Sequence, residues 1–127
     1  MQPVNLFDLA SQQARWLTVR QSAVAGNIAN ANTPGYHARD VEPFESVLSN
    51  TRVSMAATHA DHLKGGQATQ ASFSVKEMEP PETELPSRNT VVLEDEMMKS
   101  GEVRRSYELN AAIVKAFHRM LMMTSKA

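Results

Sequence analysis

The stretch Gly26-Asn27-Ile28-Ala29-Asn30-Ala31-Asn32-Thr33-Pro34-Gly35-Tyr36 decides how this chain is built. It reads as the end of a helix followed at once by a change of direction. Asn is a mediocre helix former, yet Asn27, Asn30 and Asn32 fall within six positions. Asn27 and Asn30 are one turn apart and share a face. Each side-chain amide carries two donors and an acceptor oxygen, so near a helix C-terminus they can bond free carbonyls or a neighbouring chain. Pro34 disfavours α geometry at Thr33. Pro34-Gly35 suits the centre of a type II turn, where glycine supplies the positive φ. On local chemistry alone, an ordinary helix end is the favoured reading, because Asn and Pro-Gly are common stop signals.

Upstream, the pattern predicts a helix over residues 5–31. Asn5 is placed to cap it, with Asp8 in the first turn. Leu6, Leu9, Leu17, Val24 and Ile28 follow one helical stripe, with Trp16 beside it. Small residues gather towards its end: Ala23, Ala25, Gly26, Ala29 and Ala31. Gly26 costs the helix about 1 kcal/mol relative to alanine, which suits a place where another backbone comes close.

Downstream, the chain divides into three further parts. A short helical piece is expected within 37–49, from about Pro43, with Phe44, Val47 and Leu48 on one side. Residues 50–90 show no sustained period, and Gly65-Gly66, Pro80-Pro81 and Pro86 interrupt them. This segment is expected to be flexible and irregular, with a short strand over 71–75. So long a structureless stretch is unusual inside a compact domain. Residues 91–127 carry the second long helix, capped by Asn89 or Thr90. Glu94, Asp95 and Glu96 stand in its early turns, with Lys115, His118, Arg119 and Lys126 towards its end, both favourable to the helix dipole.

That helix carries two adjacent seams. Val103, Tyr107, Asn110, Val114, Phe117 and Leu121 repeat at four-then-three spacing, and so do Leu109, Ile113, Ala116, Met120 and Met123. Together they make an apolar face wider than one partner helix needs. The expected fold is mainly α, with the long N- and C-terminal helices pairing as a coiled-coil-like hairpin around an irregular middle.

Composition narrows the function. The chain has 127 residues, 42% of them hydrophobic but only 6% aromatic, and its 8 Met outnumber 4 Phe and 2 Tyr. Met adapts its shape to partners. Net charge is −1 with both signs spread along the chain, unlike a nucleic-acid binder with its basic face. There is no Cys, so no disulfide or thiolate chemistry. No secretory signal is legible at Met1-Gln2-Pro3-Val4-Asn5-Leu6, and no stretch approaches the ~20 apolar residues of a membrane span.

No Gly-x-Ser-x-Gly elbow, phosphate loop or paired carboxylate set is present. His59 and His62 flank Asp61 in an expected loop, short of the three or four converging ligands that a transition-metal site needs. Glu77, Glu79, Glu82 and Glu84 read as a solvated acidic loop. No enzyme, cofactor or metal is therefore expected. Met120, Met122 and Met123 read either as a frayed helix end or as an adaptable contact.

The run from Asn27 to Tyr36 resembles the N-terminal signature of bacterial flagellar axial proteins. Its continuation His37-Ala38-Arg39-Asp40-Val41, then Phe44, and the stretch Asn89-Thr90-Val91-Val92-Leu93-Glu94-Asp95-Glu96-Met97 resemble the basal-body rod proteins, most closely those of the B-type proximal group. The resemblance covers roughly residues 5–48 and 88–124. Family members commonly carry Asp where Val92 stands, which weakens the expected cap.

The resemblance implies a structural subunit of the proximal rod, exported by the flagellar type III apparatus without cleavage. It implies that the terminal helices form the inner tubular layer on the periplasmic side of the inner membrane. The implied partners are other rod subunits, the export-gate adaptor and membrane-ring proteins. The candidate subunit-packing residues are Leu6, Leu9, Trp16, Leu17, Val24, Asn27, Ile28, Asn30, Val103, Tyr107, Leu109, Ile113, Val114, Phe117, Met120 and Leu121. Asn32, Thr33, Pro34, Gly35 and Tyr36 form the turn motif. The alternatives are the sister C-type rod subunit and, in a different class, a soluble helical adaptor or secretion chaperone.

Overall fold

The computed structural model describes residues 5–51, 73–80 and 85–126. Helix α1 spans Leu6–Ala29. Asn5 starts it as expected: its side-chain oxygen accepts from the backbone N–H of Phe7 at 3.1 Å and of Asp8 at 3.4 Å. Such a cap contributes about 1 kcal/mol. The helix ends at Asn30, whose backbone N–H reaches the carbonyls of Gly26 and Asn27. The reversal follows as the sequence predicts. Tyr36 N–H donates to Thr33 O at 3.3 Å, closing a turn in which Gly35 sits at φ 72°.

Beyond the turn, strand β1 (Arg39–Val41) and helix α2 (Phe44–Thr51) follow, and strand β2 (Val75–Glu77) returns to pair with β1. The pairing is antiparallel, with Arg39 opposite Glu77, Asp40 opposite Lys76 and Val41 opposite Val75. Helix α3 runs from Leu93 to Ser125, roughly 50 Å at 1.5 Å per residue.

The two long helices pair antiparallel, as the hairpin expectation required. The Phe7 and Phe117 rings meet edge to face at 5.3 Å between centroids. Asn110 donates to the Ala10 carbonyl, and Asn27 to Glu96. The buried positions of α1 include Ala10, Leu17 and Val24, each seven apart; those of α3 are Glu96, Val103 and Asn110, also seven apart. That is the heptad period of a coiled-coil seam. Ala38, Val41, Val47 and Val91 are also buried. Trp16 fastens the chain after β1 to α1. Its indole N–H donates to Glu42 O at 2.8 Å, its ring leans on Phe44 at 5.8 Å, and the Arg20 guanidinium lies 5.5 Å from the ring centre.

Several expectations need correction. The strand expected over 71–75 lies instead at Val75–Glu77, with residues 71 and 72 outside the described set. A three-residue strand is too short to leave a period, so only its partner β1 defines it. Neither Asn89 nor Thr90 caps α3. The helix begins after Val92, which makes no side-chain cap bond, because both candidates are engaged with the α1 side of the molecule. Gly26 is not a point of close approach, since a Cβ there would meet only the Tyr36 hydroxyl, at 3.9 Å. His59, Asp61 and His62, with most of segment 50–90, lie outside the described residues.

Candidate functional site

Two features dominate the described surface and interior: a buried polar clasp at one end of the hairpin, and an uncovered apolar face along α3.

The clasp forms where the end of α1, the turn, β1 and the start of α3 converge. Asn27 is fully buried. Its amide N–H groups donate to Arg39 O at 2.7 Å and to Glu96 Oε2 at 2.9 Å. Its oxygen accepts from Arg39 N–H at 2.9 Å and from the Tyr36 hydroxyl at 3.4 Å. One side chain thus bonds a strand backbone, a turn and the opposite helix. Glu96, only 2% exposed, also accepts from Lys99 at 2.9 Å. Lys99 lies 3.7 Å from Asp40, which accepts from Arg20 at 3.3 Å, and Arg20 approaches Glu102 at 3.7 Å. Among the described residues, no buried side-chain nitrogen or oxygen lacks a partner. A buried charge is tolerable only under that condition.

Asn89 works beside it. Its amide donates to the carbonyls of Asn30, Ala31 and Thr33 at 2.9, 3.0 and 2.8 Å, and its oxygen accepts from Val91 N–H at 2.8 Å. These carbonyls belong to the C-cap of α1 and the turn that follows it. The backbone adds Gly35 N–H to Ser87 O at 2.9 Å and Thr90 N–H to Tyr36 O at 3.0 Å. Thr90 Oγ1 accepts from Ala38 N–H. Asn30 donates to Gly26 O at 2.8 Å and accepts from the Thr33 hydroxyl. Of the two roles the sequence allowed for these asparagines, their side chains take bonds within this chain.

The expected packing residues therefore separate by place. Leu17, Val24, Asn27 and Val103 are buried inside the hairpin. Leu6, Leu9, Trp16, Asn30, Val114 and Phe117 are half-buried along it. Ile28, Tyr107, Leu109, Ile113, Met120 and Leu121 are exposed. Of the two seams on α3, one packs Val103 and Asn110 against α1, and the other stays exposed, with Leu109 at 60% and Met123 at 67%. Phe117 meets Phe7 near the start of α1, and α3 continues beyond that contact through residues 118–125, roughly 12 Å of helix. Between the helices, Phe7, Ala10, Ser11 and Ala14 face Tyr107, Ala111, Val114, Lys115 and His118 across an apolar groove of about 500 Å³.

Sequence reasoning missed Asp40, Asn89, Glu96 and Lys99 as members of the clasp. Glu96 carried a signal: it stands seven residues before Val103, in phase with the buried seam. Asn89 and Thr90 looked like helix caps because their type and position fit that role. Asp40 and Lys99 carry no local signal, since only the fold brings them together.

Residues 17–37 match the family described as Flagella basal body rod protein. These residues run from buried Leu17 to the end of the turn and supply the α1 side of the clasp. The chain is 51% identical over 131 residues to the flagellar basal body rod protein FlgB of Agrobacterium fabrum, covering 99% of this chain and 96% of the relative. It is 28% identical over 99 residues to FlgB of Escherichia coli, covering 72% and 71%. Against FlgB of Salmonella typhimurium it is 27% identical over 104 residues, covering 75% and 74%.

Proposed function

The chain belongs to the family of flagellar basal body rod proteins, and from that premise we propose that it joins its neighbours through the apolar surface its own hairpin leaves open. It is a structural subunit of the proximal rod of the bacterial flagellar basal body. Its work is assembly rather than catalysis.

The observation that carries the proposal is the second seam of α3. Leu109, Ile113, Met120 and Met123 stand in solvent along one helix, beside a seam whose Val103 and Asn110 are buried against α1. Burying one Leu-sized side chain contributes roughly 1.5–3 kcal/mol, against about 0.5–1.5 kcal/mol for immobilising it. A few such residues covered together favour association. The unbranched Met side chains adapt to non-identical neighbours, as a site between different rod subunits requires. On this reading Tyr107, Ile28 and the end of α3 touch other subunits, whereas Leu17, Val24, Asn27 and Val103 shape the hairpin that presents them.

The neighbours we assign are other rod subunits, the export-gate adaptor and the membrane-ring proteins, on the periplasmic side of the inner membrane. The route is the flagellar type III apparatus, with no cleaved signal. The family resemblance supports both assignments. No described helix is long and apolar enough to cross a membrane.

The test replaces Leu109, Ile113 and Met120 together by serine in a motile host. The variant is expected to be produced and exported, yet missing from purified basal bodies, and the cells to be non-motile. Normal incorporation would overturn the assignment of this face.

A further inference from the structure

We propose that the buried polar residues of the hairpin act as a register lock, fixing how far α3 slides along α1. The apolar part of the seam cannot do this alone. Its buried positions recur every seven residues on both helices: Ala10, Leu17 and Val24 on α1; Glu96, Val103 and Asn110 on α3. The apolar members are small or medium-sized. A slide of one heptad again sets apolar residues of one helix against the seam of the other, and the loss of matching area is modest.

The polar pairing does not repeat: Asn27 stands outside the α1 series, and seven residues beyond its partner Glu96 stands the apolar Val103. At one end Asn27 has a single arrangement that satisfies it, with Glu96 Oε2 at 2.9 Å and the backbone of Arg39 on the other side. At the far end the Asn110 amide donates to the Ala10 carbonyl at 2.9 Å, a buried bond spanning 100 positions. Slipping by seven residues carries Glu96 away from Asn27, and Lys99 away from Asp40, while leaving a carboxylate in the seam. It also moves Asn110 off the Ala10 carbonyl, but a main-chain carbonyl recurs seven residues along α1, so the cost falls at the Asn27–Glu96 end, where buried polar groups without partners are costly. A polar residue at a core position of a coiled coil selects register in this manner. Arg20, bridging Asp40 and Glu102 at 3.3 and 3.7 Å, reinforces the same end.

The chain contains no cysteine, so two introduced thiols can carry spin labels without background. Gln21→Cys and Arg119→Cys place labels on exposed positions of α1 and α3, well separated along the axis. In the otherwise unchanged full chain the pulsed dipolar spectrum is expected to give one narrow distance. With Asn27→Leu, Glu96→Leu and Asn110→Leu added, the helical circular dichroism is expected to persist. A second distance, displaced by about 10 Å for one heptad, is then expected to appear. Asn110→Leu alone leaves the Asn27–Glu96 end intact and is expected to keep the single distance.

A single unchanged distance in the triple variant overturns the proposal, because packing and the Asn89 bonds to the carbonyls after α1 would then suffice without Asn27, Glu96 and Asn110. Loss of helicity in the triple variant overturns it too, because the polar groups would then be supplying stability rather than register. A second distance in the Asn110→Leu variant refutes the part assigned to Asn27 and Glu96.

Discussion

Asn27 Nδ2 lies 2.9 Å from Glu96 Oε2, and the two side chains, 69 positions apart in sequence, are both buried. This bond joins the segment that marks the family to the start of the C-terminal helix. The signature asparagine is thereby an internal fastening of the hairpin.

Removing that fastening from one side strands its partner. Asn27→Ala leaves the Glu96 carboxylate and both Arg39 backbone groups short of a bond. The expected cost is about 3 kcal/mol, from unpaired buried polar groups at about 1–3 kcal/mol each. Glu96→Gln keeps the shape and removes the charge, and is expected to cost less than Asn27→Ala. Urea unfolding of each variant and of the double variant measures the coupling. Additive effects would show that the two residues do not act together.

The two glycines of the signature should respond oppositely to alanine. Gly35 has φ 72°, where an L side chain costs roughly 1–2 kcal/mol, so Gly35→Ala is expected to destabilise by about that amount. Gly26 has helical geometry and room for a methyl group, 3.9 Å from the Tyr36 hydroxyl, so Gly26→Ala is expected to stabilise by up to about 1 kcal/mol. Thermal melts of the two single variants decide it; shifts of the same sign would contradict this account.

Pro34→Ala combined with Gly35→Ala relaxes the turn that presents backbone groups to Ser87 and Thr90. Assembly is expected to suffer more than export, measured as subunit in purified basal bodies against subunit in the culture medium. Normal swimming by the double variant would count against a role for the turn in aiming the chain.

Helix α3 continues beyond the contact of Phe117 with Phe7, and Met120, Leu121, Met122 and Met123 are exposed there. A chain truncated of residues 119–127 is expected to be expressed at the usual level and excluded from basal bodies. Helicity of the shortened chain should fall only by the removed turns, because residues 119–126 are exposed. Unimpaired incorporation would remove the C-terminal end from the assembly surface.

Asn5 holds the first turn of α1 through two backbone bonds. Asn5→Ala is expected to cost about 1 kcal/mol and to speed amide exchange at Phe7 and Asp8, leaving the clasp end unaffected. Equal acceleration at both ends would mean that the hairpin opens only as a whole.

The helices were legible because their causes are local. Asn5, the stripe of Leu6 to Ile28 and the Pro34-Gly35 stop place α1 almost to the residue, and the doubled seam of α3 announced a face broader than α1 could cover. The caps of α3 were misassigned because Asn89 and Thr90 are chemically suited to capping. Only the nearness of the α1 carbonyls and of Ala38 N–H draws their side chains elsewhere.

By itself, then, the sequence determined the two amphipathic helices, the reversal between them and the excess of apolar surface, since propensity, capping and period act over a few residues. Tertiary structure alone decided which polar groups meet. Asn27 with Glu96, Asp40 with Lys99, and Asn89 with the end of α1 are bonds between distant segments. Hydrogen bonds and ion pairs depend on distances of a few ångströms, and no periodicity along the chain encodes those.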